Sequence, residues 1–390
     1  MLKEYSIKSI RMRQCLAVVS ASGLLVAAAP PASALPGPRS EQWWFEAWQI
    51  ENKVWPLTRG KGVTVGLIDT GVSTDLPDLR GSVVGKRITA DGVVDDSVDH
   101  DTEKGGHGTG MAALIVGQGR GSGMVGVAPE SKILSIYKGV LLGTAIRYAV
   151  DHGAKVINMS LAQQFAYCTE ATQSGVDYAL KNDVVVVAST GNDGPDNATL
   201  GEPANCVGVV AVAGLDAYLN VWKDSSAGAN VVVAGPAADV GSIGRRGAFT
   251  AKANGTSQAS ALTAGVVAVM RSRYPKMPAR EIVRRLLATT RDVGPKGWDK
   301  FTGYGAVVPY RALTEKIPGN TPNPVYKRID DLSAGKAPQQ ANQQTALPAA
   351  PNTSAEKPKG SPGLLIGLIG GLAIAAVALL GFLFTVRRRS

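Results

Sequence analysis

The sequence predicts an α/β protein whose sheet is mostly parallel and carries helices on both faces. Short runs rich in valine, such as 184–188, show no polar alternation, which is typical of strands that are buried on both faces. These runs alternate with segments of helical pattern, which is the order of βαβ units. The 390 residues, 45% of them hydrophobic, suffice for one large core or two smaller ones.

Strands and helices follow one another between residues 61 and 289. The predicted strands cover 61–68, 131–137, 154–161, 184–188, 207–213 and 231–234. The predicted helices cover 109–117, 142–152, 171–181, 258–274 and 278–289. Pro275 ends the fourth helix, and Pro278 suits the first position of the fifth. Because polar sites gather at the carboxyl ends of parallel strands, we expect Asp69 and Asn192 to lie at one edge of the sheet.

Residues 1–34 are predicted to be a secretory signal peptide. The start is basic, with Lys3, Lys8, Arg11 and Arg13. The stretch 15–29 is apolar, and Ala32-Ser33-Ala34 forms an A-x-A cleavage site. A short membrane anchor that stays uncut is the alternative interpretation.

A transmembrane helix is predicted at residues 363–386, which carry no charge and are long enough to cross a bilayer with some tilt. Arg387, Arg388 and Arg389 follow, and the positive-inside rule places the tail 387–390 in the cytoplasm. The stretch 316–362 is rich in proline, alanine and glutamine and is predicted to be a linker. We therefore expect a single-pass cell-membrane protein whose globular part is extracytoplasmic.

The formal net charge of +10 does not indicate a nucleic-acid partner. Without the signal peptide and the arginine tail, 34 basic and 30 acidic residues remain, a net charge of +4. Such a mildly basic chain has no nucleic-acid signature, so this class of function is excluded.

Tryptophan is concentrated in the segment 35–58. Trp43, Trp44, Trp48 and Trp55 account for four of the six tryptophans of the chain. We expect this N-terminal extension to pack on the main domain. A partner-docking or propeptide-like element is the alternative.

Two cysteines remain once the signal peptide with Cys15 is removed. An even number of cysteines in an exported chain favours a disulfide, here between Cys168 and Cys206. Two buried free thiols are the alternative.

Ser257 lies two residues after Gly255 and precedes a helical pattern of small residues, so its hydroxyl is expected at a helix start. A serine is a poor nucleophile unless a base takes its proton. His107 is the best base among the three histidines, because it lies between glycines at another helix start. Asp69 ends a hydrophobic strand and would be a costly buried charge without such a partner.

The chain order Asp69, His107, Ser257 is the order of subtilisin. The motifs Asp69-Thr70-Gly71-Val72, His107-Gly108-Thr109 and Gly255-Thr256-Ser257 resemble the three signatures of subtilisin-like serine proteases. Lesser resemblances lie at 75–79, 156–161 and 186–192. The likeness covers residues 59–315, the expected catalytic domain, and implies a subtilisin-like fold.

This resemblance implies further site residues. Asn192 is expected to donate to the oxyanion together with the backbone N–H of Ser257, although a turn residue is the plainer interpretation of its sequence. The walls of the pocket for the residue before the scissile bond are expected to be Ser160, Leu161, Ala162, Ser189, Thr190 and Gly191. No cofactor and no metal site are predicted.

The chain departs from the family pattern at three places. The stretch 258–261 lacks a usual proline, Ala162 stands where the family often has glycine, and the stretch 137–142 is short. The overall architecture resembles the mycosins, which are membrane-anchored subtilases associated with type VII secretion. The expected function is a membrane-anchored serine endopeptidase that cleaves peptides or proteins. The alternative is a mainly structural subunit of a secretion membrane complex.

Overall fold

The computed structural model of the protein describes residues 35–84, 87–89, 92–94, 98–103, 105–163, 167–196 and 200–336. The predicted signal peptide, membrane span and tail lie outside these residues. A first unit ends at Ala337, and a second unit, Pro338–Ser390, contains no described residue. Within the described ranges, none of the helices combines the length and the apolar character that crossing a bilayer requires.

The elements alternate as the hydrophobic pattern predicts. In chain order, the strands are β1 (Thr64–Asp69), β2 (Val83–Val84), β3 (Arg87–Thr89), β4 (Gly92–Val94), β5 (Lys132–Tyr137), β6 (Val156–Met159), β7 (Val185–Ser189), β8 (Val210–Leu215), β9 (Val231–Pro236), β10 (Ser242–Ile243) and β11 (Phe249–Thr250). The α-helices are α1 (Trp43–Ala47), α2 (His107–Val116), α3 (Leu142–Asp151), α4 (Glu170–Lys181), α5 (Thr256–Arg273), α6 (Ala279–Ala288), α7 (Pro309–Thr314) and α8 (Pro324–Ser333), and a π-helical turn spans Ile50–Val54.

Seven strands form one parallel sheet in the order β2-β5-β1-β6-β7-β8-β9. The chain leaves β1 to form β5 on one side and then returns to form β6 on the other side. The strand order therefore reverses around β1, and ligands of such sheets bind at the carboxyl ends of strands beside this point. Asp69 is the last residue of β1, and Ser160 directly follows β6.

Helices cover both faces of the sheet. As a result, every residue of β7, β8 and β9 is buried. Helix α5 packs against α2 and against β6–β9, whereas α3 and α4 pack against each other. Helix α5 is buried on nearly all sides, which explains its small residues. At Gly265, for example, an added Cβ would lie 2.9 Å from a Val127 carbon.

The tryptophan-rich segment packs on the domain, as expected. Trp44, Trp48 and Trp55 are buried, and the Trp55 indole donates to the carbonyl oxygen of Val127 at 3.0 Å. Gln42 exchanges two hydrogen bonds with the backbone of Val125, one in each direction. The segment thus adds to the core and to the polar contacts of the sheet domain.

Helical structure continues past residue 315 into the predicted linker 316–362. Helix α8 begins after Asn323, whose side chain accepts the N–H of Tyr326. Val325 and Tyr326 are buried, and Asp330 pairs with Arg280 of α6. Among the described residues, only two buried side chains attach this helix to the domain. The stretch therefore has too few apolar residues to show a helical period in the sequence.

Candidate active site

Asp69 and His107 form a close pair at the carboxyl end of β1. The Nδ1 atom of His107 lies 2.7 Å from Oδ1 of Asp69, which also accepts the N–H of Thr70. The Asp69 side chain is 2% exposed, whereas that of His107 is 24% exposed. The carboxylate is therefore shielded from water, and the ring remains accessible from outside.

Glycines let β1 and α2 approach closely enough for this pair. A Cβ at Gly108 would lie 2.2 Å from the carbonyl oxygen of Gly71 and 3.2 Å from Cβ of Asp69. At Gly71 the φ angle is +98°, which disfavours other residues. The glycines that follow Asp69 and His107 in their motifs thus serve the contact between the two.

Two further carboxylates hold the start of α2. Asp99 accepts the Thr70 hydroxyl and both the N–H and the hydroxyl of Thr109, each at 2.7 Å. Asp101 accepts the N–H of His107 at 3.0 Å. Asp99 is fully buried, although it lies in an acidic stretch of the sequence. Its charge is offset by these donors and by the helix N-terminus.

Opposing effects set the pKa of His107. Burial lowers it, but the charge of Asp69 and the hydrogen bond to it together raise it by more. Lys138 lowers the pKa slightly, and Asp101 raises it slightly. The net pKa of the ring is raised above its ordinary value, which makes it a better proton acceptor from a serine hydroxyl.

Ser257 lies in the first turn of α5, which packs against α2. Its hydroxyl donates to the carbonyl oxygen of Ser160 at 3.2 Å, and the Ser160 hydroxyl donates to the carbonyl oxygen of Ser257 at 2.9 Å. The described residues include Ser257 and His107, yet no hydrogen bond joins the serine hydroxyl to the ring. Catalytic hydrogen bonds often tighten only when substrate binds.

A buried amide lies beneath this serine. Asn158 is fully buried on β6, and it donates to the Ser160 hydroxyl at 2.9 Å. Its side-chain oxygen accepts the hydroxyl of Ser260 at 2.7 Å, one turn after Ser257 on α5. Neither Asn158 nor Ser260 is among the site residues predicted from the sequence. The signal was present, because a polar residue inside a fully buried strand must find partners.

Thr256, the residue before Ser257, orients the side chain of Asn192. Its Oδ1 accepts both the backbone N–H and the hydroxyl of Thr256, each at 2.9 Å. Since Oδ1 is engaged, the Nδ2 group is the end of the amide left to face outward, and it lies 3.5 Å from a Cβ position built at Gly255. This is the geometry of a side-chain donor held beside the start of α5.

The six predicted wall residues lie in two adjacent segments. Strands β6 and β7 pair in parallel, which places 160–162 next to 189–191. The Ser189 hydroxyl donates to the carbonyl oxygen of Leu161 at 3.2 Å. Ala162 is exposed, and a Cβ at Gly191 would lie 3.6 Å from its side chain. The structure therefore brings both segments together beside Ser257.

Cys168 and Cys206 are joined as a disulfide. Glu202 lies close to both sulfur atoms and is the third member of a cluster with metal-ligand spacing. Both sulfur atoms are used by the disulfide, and Glu202 accepts the N–H and the hydroxyl of Thr169 at the start of α4. The cluster thus links α4 to the segment that precedes β8.

A helix-borne hydroxyl, a ring–carboxylate pair and an oriented amide at one sheet edge are the components of a serine protease. The subtilase family model matches residues 60–305. The chain belongs to this family, whose members are serine proteases, and it has the subtilisin-like α/β fold.

Known proteins of two kinds resemble the chain. Fervidolysin of Fervidobacterium pennivorans is 32% identical over 72% of this chain, which spans only 44% of that protein. Mycosin-3 of Mycobacterium tuberculosis is 28% identical over 83% of this chain and 81% of its own length. The structure of MycP1 from Mycobacterium smegmatis superposes with a TM-score of 0.62 at 25% identity, over 76% of this chain and 89% of the other. MycP1 belongs to the ESX-1 type VII secretion system.

Proposed function

We propose that this protein is a serine endopeptidase in which Ser257 attacks the carbonyl carbon of a peptide bond while His107 takes the hydroxyl proton. Asp69 holds the ring and stabilises the imidazolium, which then protonates the leaving amine. Water releases the acyl group from Ser257 in a second step. The observation that carries the proposal is the 2.7 Å pair between Asp69 and His107, shielded at the sheet edge where α2 meets α5.

Two donors would stabilise the negative oxygen of the tetrahedral intermediate. One is the Nδ2 group of Asn192, and the other is the backbone N–H of Ser257, which lies in the first turn of α5 and has no helical acceptor. The substrate residue before the scissile bond would lie between 160–162 and 189–191. Its backbone would pair with the edges of these segments as an added strand.

A fluorophosphonate probe tests the nucleophile. The wild-type protein is expected to be labelled, and the Ser257→Ala variant is expected to lose all labelling together with peptidase activity. Ser272→Ala is the matched control, because Ser272 lies on the same helix and bonds the backbone of Lys61 instead. Labelling that persists in Ser257→Ala would refute the assignment.

We also propose that residues 1–34 direct export and that 363–386 anchor the catalytic domain, 59–315, outside the membrane. The support is the sequence: an apolar run before an A-x-A site, and 24 uncharged residues before three arginines. Alkaline carbonate should leave the full chain in the membrane pellet but release a chain that ends at residue 362. Release of the full chain would contradict the anchor.

The likeness to mycosin-3 and MycP1 supports a link to type VII secretion. Two observations favour a mainly structural role as the second candidate. The Ser257 hydroxyl donates to Ser160 and not to His107, and 258–261 departs from the family pattern. Restoring a deletion strain with the Ser257→Ala form separates the two candidates: full recovery of secretion would support the structural role, and no recovery would support catalysis.

A further inference from the structure

A second feature of the site is a pocket of about 540 Å³ on the outer side of His107. We call it the basic pocket. Its described lining contains residues of three parts of the chain: the loop before α2 with the first turns of α2, the β10–β11 hairpin (242–250), and Ala253 with Gln258 around the start of α5. No described residue of its lining belongs to the wall segments 160–162 or 189–191.

The position of the basic pocket identifies the part of a substrate that reaches it. The acyl half of the substrate lies along the wall segments beside Ser257. The leaving amine must meet His107, which gives it a proton. Because His107 and Gln258 line the basic pocket and the wall segments do not, the residues after the scissile bond enter it.

The charged side chains of this lining are basic. Arg245 and Arg246 stand at the turn of the β10–β11 hairpin, and no carboxylate is among the described lining residues. Across the described part of the chain, no carboxylate forms an ion pair with either guanidinium. The nearby Asp101 instead accepts the N–H of His107. A negative group entering the basic pocket therefore meets two arginines that no described carboxylate neutralises.

The hairpin is fixed to the rim of the site at several points. The N–H of Arg245 donates to the carbonyl oxygen of Gly105 at 2.7 Å, directly before α2. The Ser242 hydroxyl donates to the carbonyl oxygen of Gly110 at 2.7 Å. From the N-terminal extension, the Arg39 guanidinium lies 4.2 Å from the centre of the Phe249 ring. These contacts hold the backbone of the turn at a set distance from His107, which a charge-selective subsite requires.

We propose that the basic pocket selects substrates with an acidic side chain among the first three residues after the scissile bond. The inference rests on the proposed peptidase function and adds a substrate class to it. Arg245 and Arg246 are the specificity-determining residues. A guanidinium binds a carboxylate through paired hydrogen bonds, and the partial enclosure of the basic pocket reduces screening by water.

Internally quenched peptides test this proposal with the full-length protein in detergent. One series has an identical acyl half and an amidated C-terminus, with Glu, Gln or Lys in turn at each of the three positions after the cleaved bond. The measured quantity is the ratio of kcat/KM for Glu over Gln within each variant, so a general loss of activity cancels. We expect a ratio of about two to five at one position or more, the range for a partly exposed ion pair.

Arg245→Gln with Arg246→Gln should bring the ratio close to one, and added salt should lower it in the wild type. Arg273→Gln with Lys276→Gln is the control of equal charge change, because both side chains are exposed and Arg273 is the last residue of α5, ~24 Å along the helix from Ser257. A wild-type ratio of one or less, or a ratio that survives the double substitution, overturns the basic pocket proposal alone. Absence of all cleavage and of fluorophosphonate labelling would overturn the peptidase function itself.

Discussion

Thr256 should control the rate of the reaction through Asn192. The Thr256 hydroxyl lies 2.9 Å from the Asn192 side-chain oxygen and 3.1 Å from both the N–H and the carbonyl oxygen of Gly191. The Thr256 hydroxyl has one proton, which it donates either to the Asn192 side-chain oxygen or to the carbonyl oxygen of Gly191. The perturbation is Thr256→Val, which keeps the shape of the side chain and the backbone N–H bond to Asn192 but removes the hydroxyl.

The expected fall in kcat follows from the number of hydrogen bonds that still hold the Asn192 side chain. Losing one of two hydrogen bonds costs about 1 kcal/mol, so kcat should fall about fivefold as the Asn192 amide loosens. Asn192→Ala removes the proposed oxyanion donor itself and should lower kcat by about 10²–10³. If Thr256 acts on the rate through Asn192, the double variant should be no slower than Asn192→Ala within about twofold.

The assay is a double-mutant cycle on a peptide anilide, with active enzyme counted by fluorophosphonate titration. The bonds to Gly191 are lost in both backgrounds, so they do not enter the coupling in kcat. Their loss is expected to appear in KM, because Gly191 belongs to a wall segment. Additive losses in kcat, with the double variant fivefold slower than Asn192→Ala, would refute the reasoning.

Three further predictions concern the base, the disulfide and the N-terminal extension. The kcat/KM should rise with pH, with a midpoint above 6.5, the ordinary pKa of histidine, because the buried carboxylate beside His107 raises the pKa of the ring and only the neutral ring accepts a proton. Stopped assays over a range of pH measure this profile, and a midpoint below 6.5 would contradict the prediction. Replacing Cys168 and Cys206 by serine should lower the free energy of unfolding by about 4 kcal/mol, because the disulfide closes a 38-residue separation, and reduction of the wild type in urea titrations should reproduce the loss. Trp44→Ala should lower the free energy of unfolding by about 3–5 kcal/mol in the same titrations, because Trp44 is 0% exposed. A loss below about 1 kcal/mol would show that the extension is dispensable for folding.

In the structure without substrate, the hydrogen bonds of Ser257 are consistent with the proposed mechanism. Its hydroxyl donates to the Ser160 carbonyl, and Ser160 returns a hydrogen bond to the serine backbone. The hydroxyl proposed to attack is therefore held near the wall segment along which the acyl half of a substrate would lie. A substrate that pairs with the edge of 160–162 competes for this carbonyl region. Its arrival would free the hydroxyl to turn toward His107.

The sheet and its helices followed closely from the sequence. Strand β7 was predicted at 184–188 and lies at Val185–Ser189, and helix α3 was predicted at 142–152 and lies at Leu142–Asp151. Long apolar runs have few alternatives to burial in a parallel sheet. The β10–β11 hairpin was missed, because its two-residue strands are too short to show a period.

The sequence by itself determined the family, the order of the motifs and the candidate catalytic residues Asp69, His107 and Ser257. Each is identified by local context: a carboxylate that ends an apolar strand, a histidine between glycines at a helix start, or a serine shortly after a glycine at another helix start. Only the tertiary structure decided what supports them. Asp99 and Asn158 have plain local sequences, and their roles come from hydrogen-bond partners on other elements. Arg245 and Arg246 line the pocket beside His107 because contacts to Gly105 and Gly110 hold their hairpin there. Packing brings these partners together, and no local pattern encodes such long-range pairing.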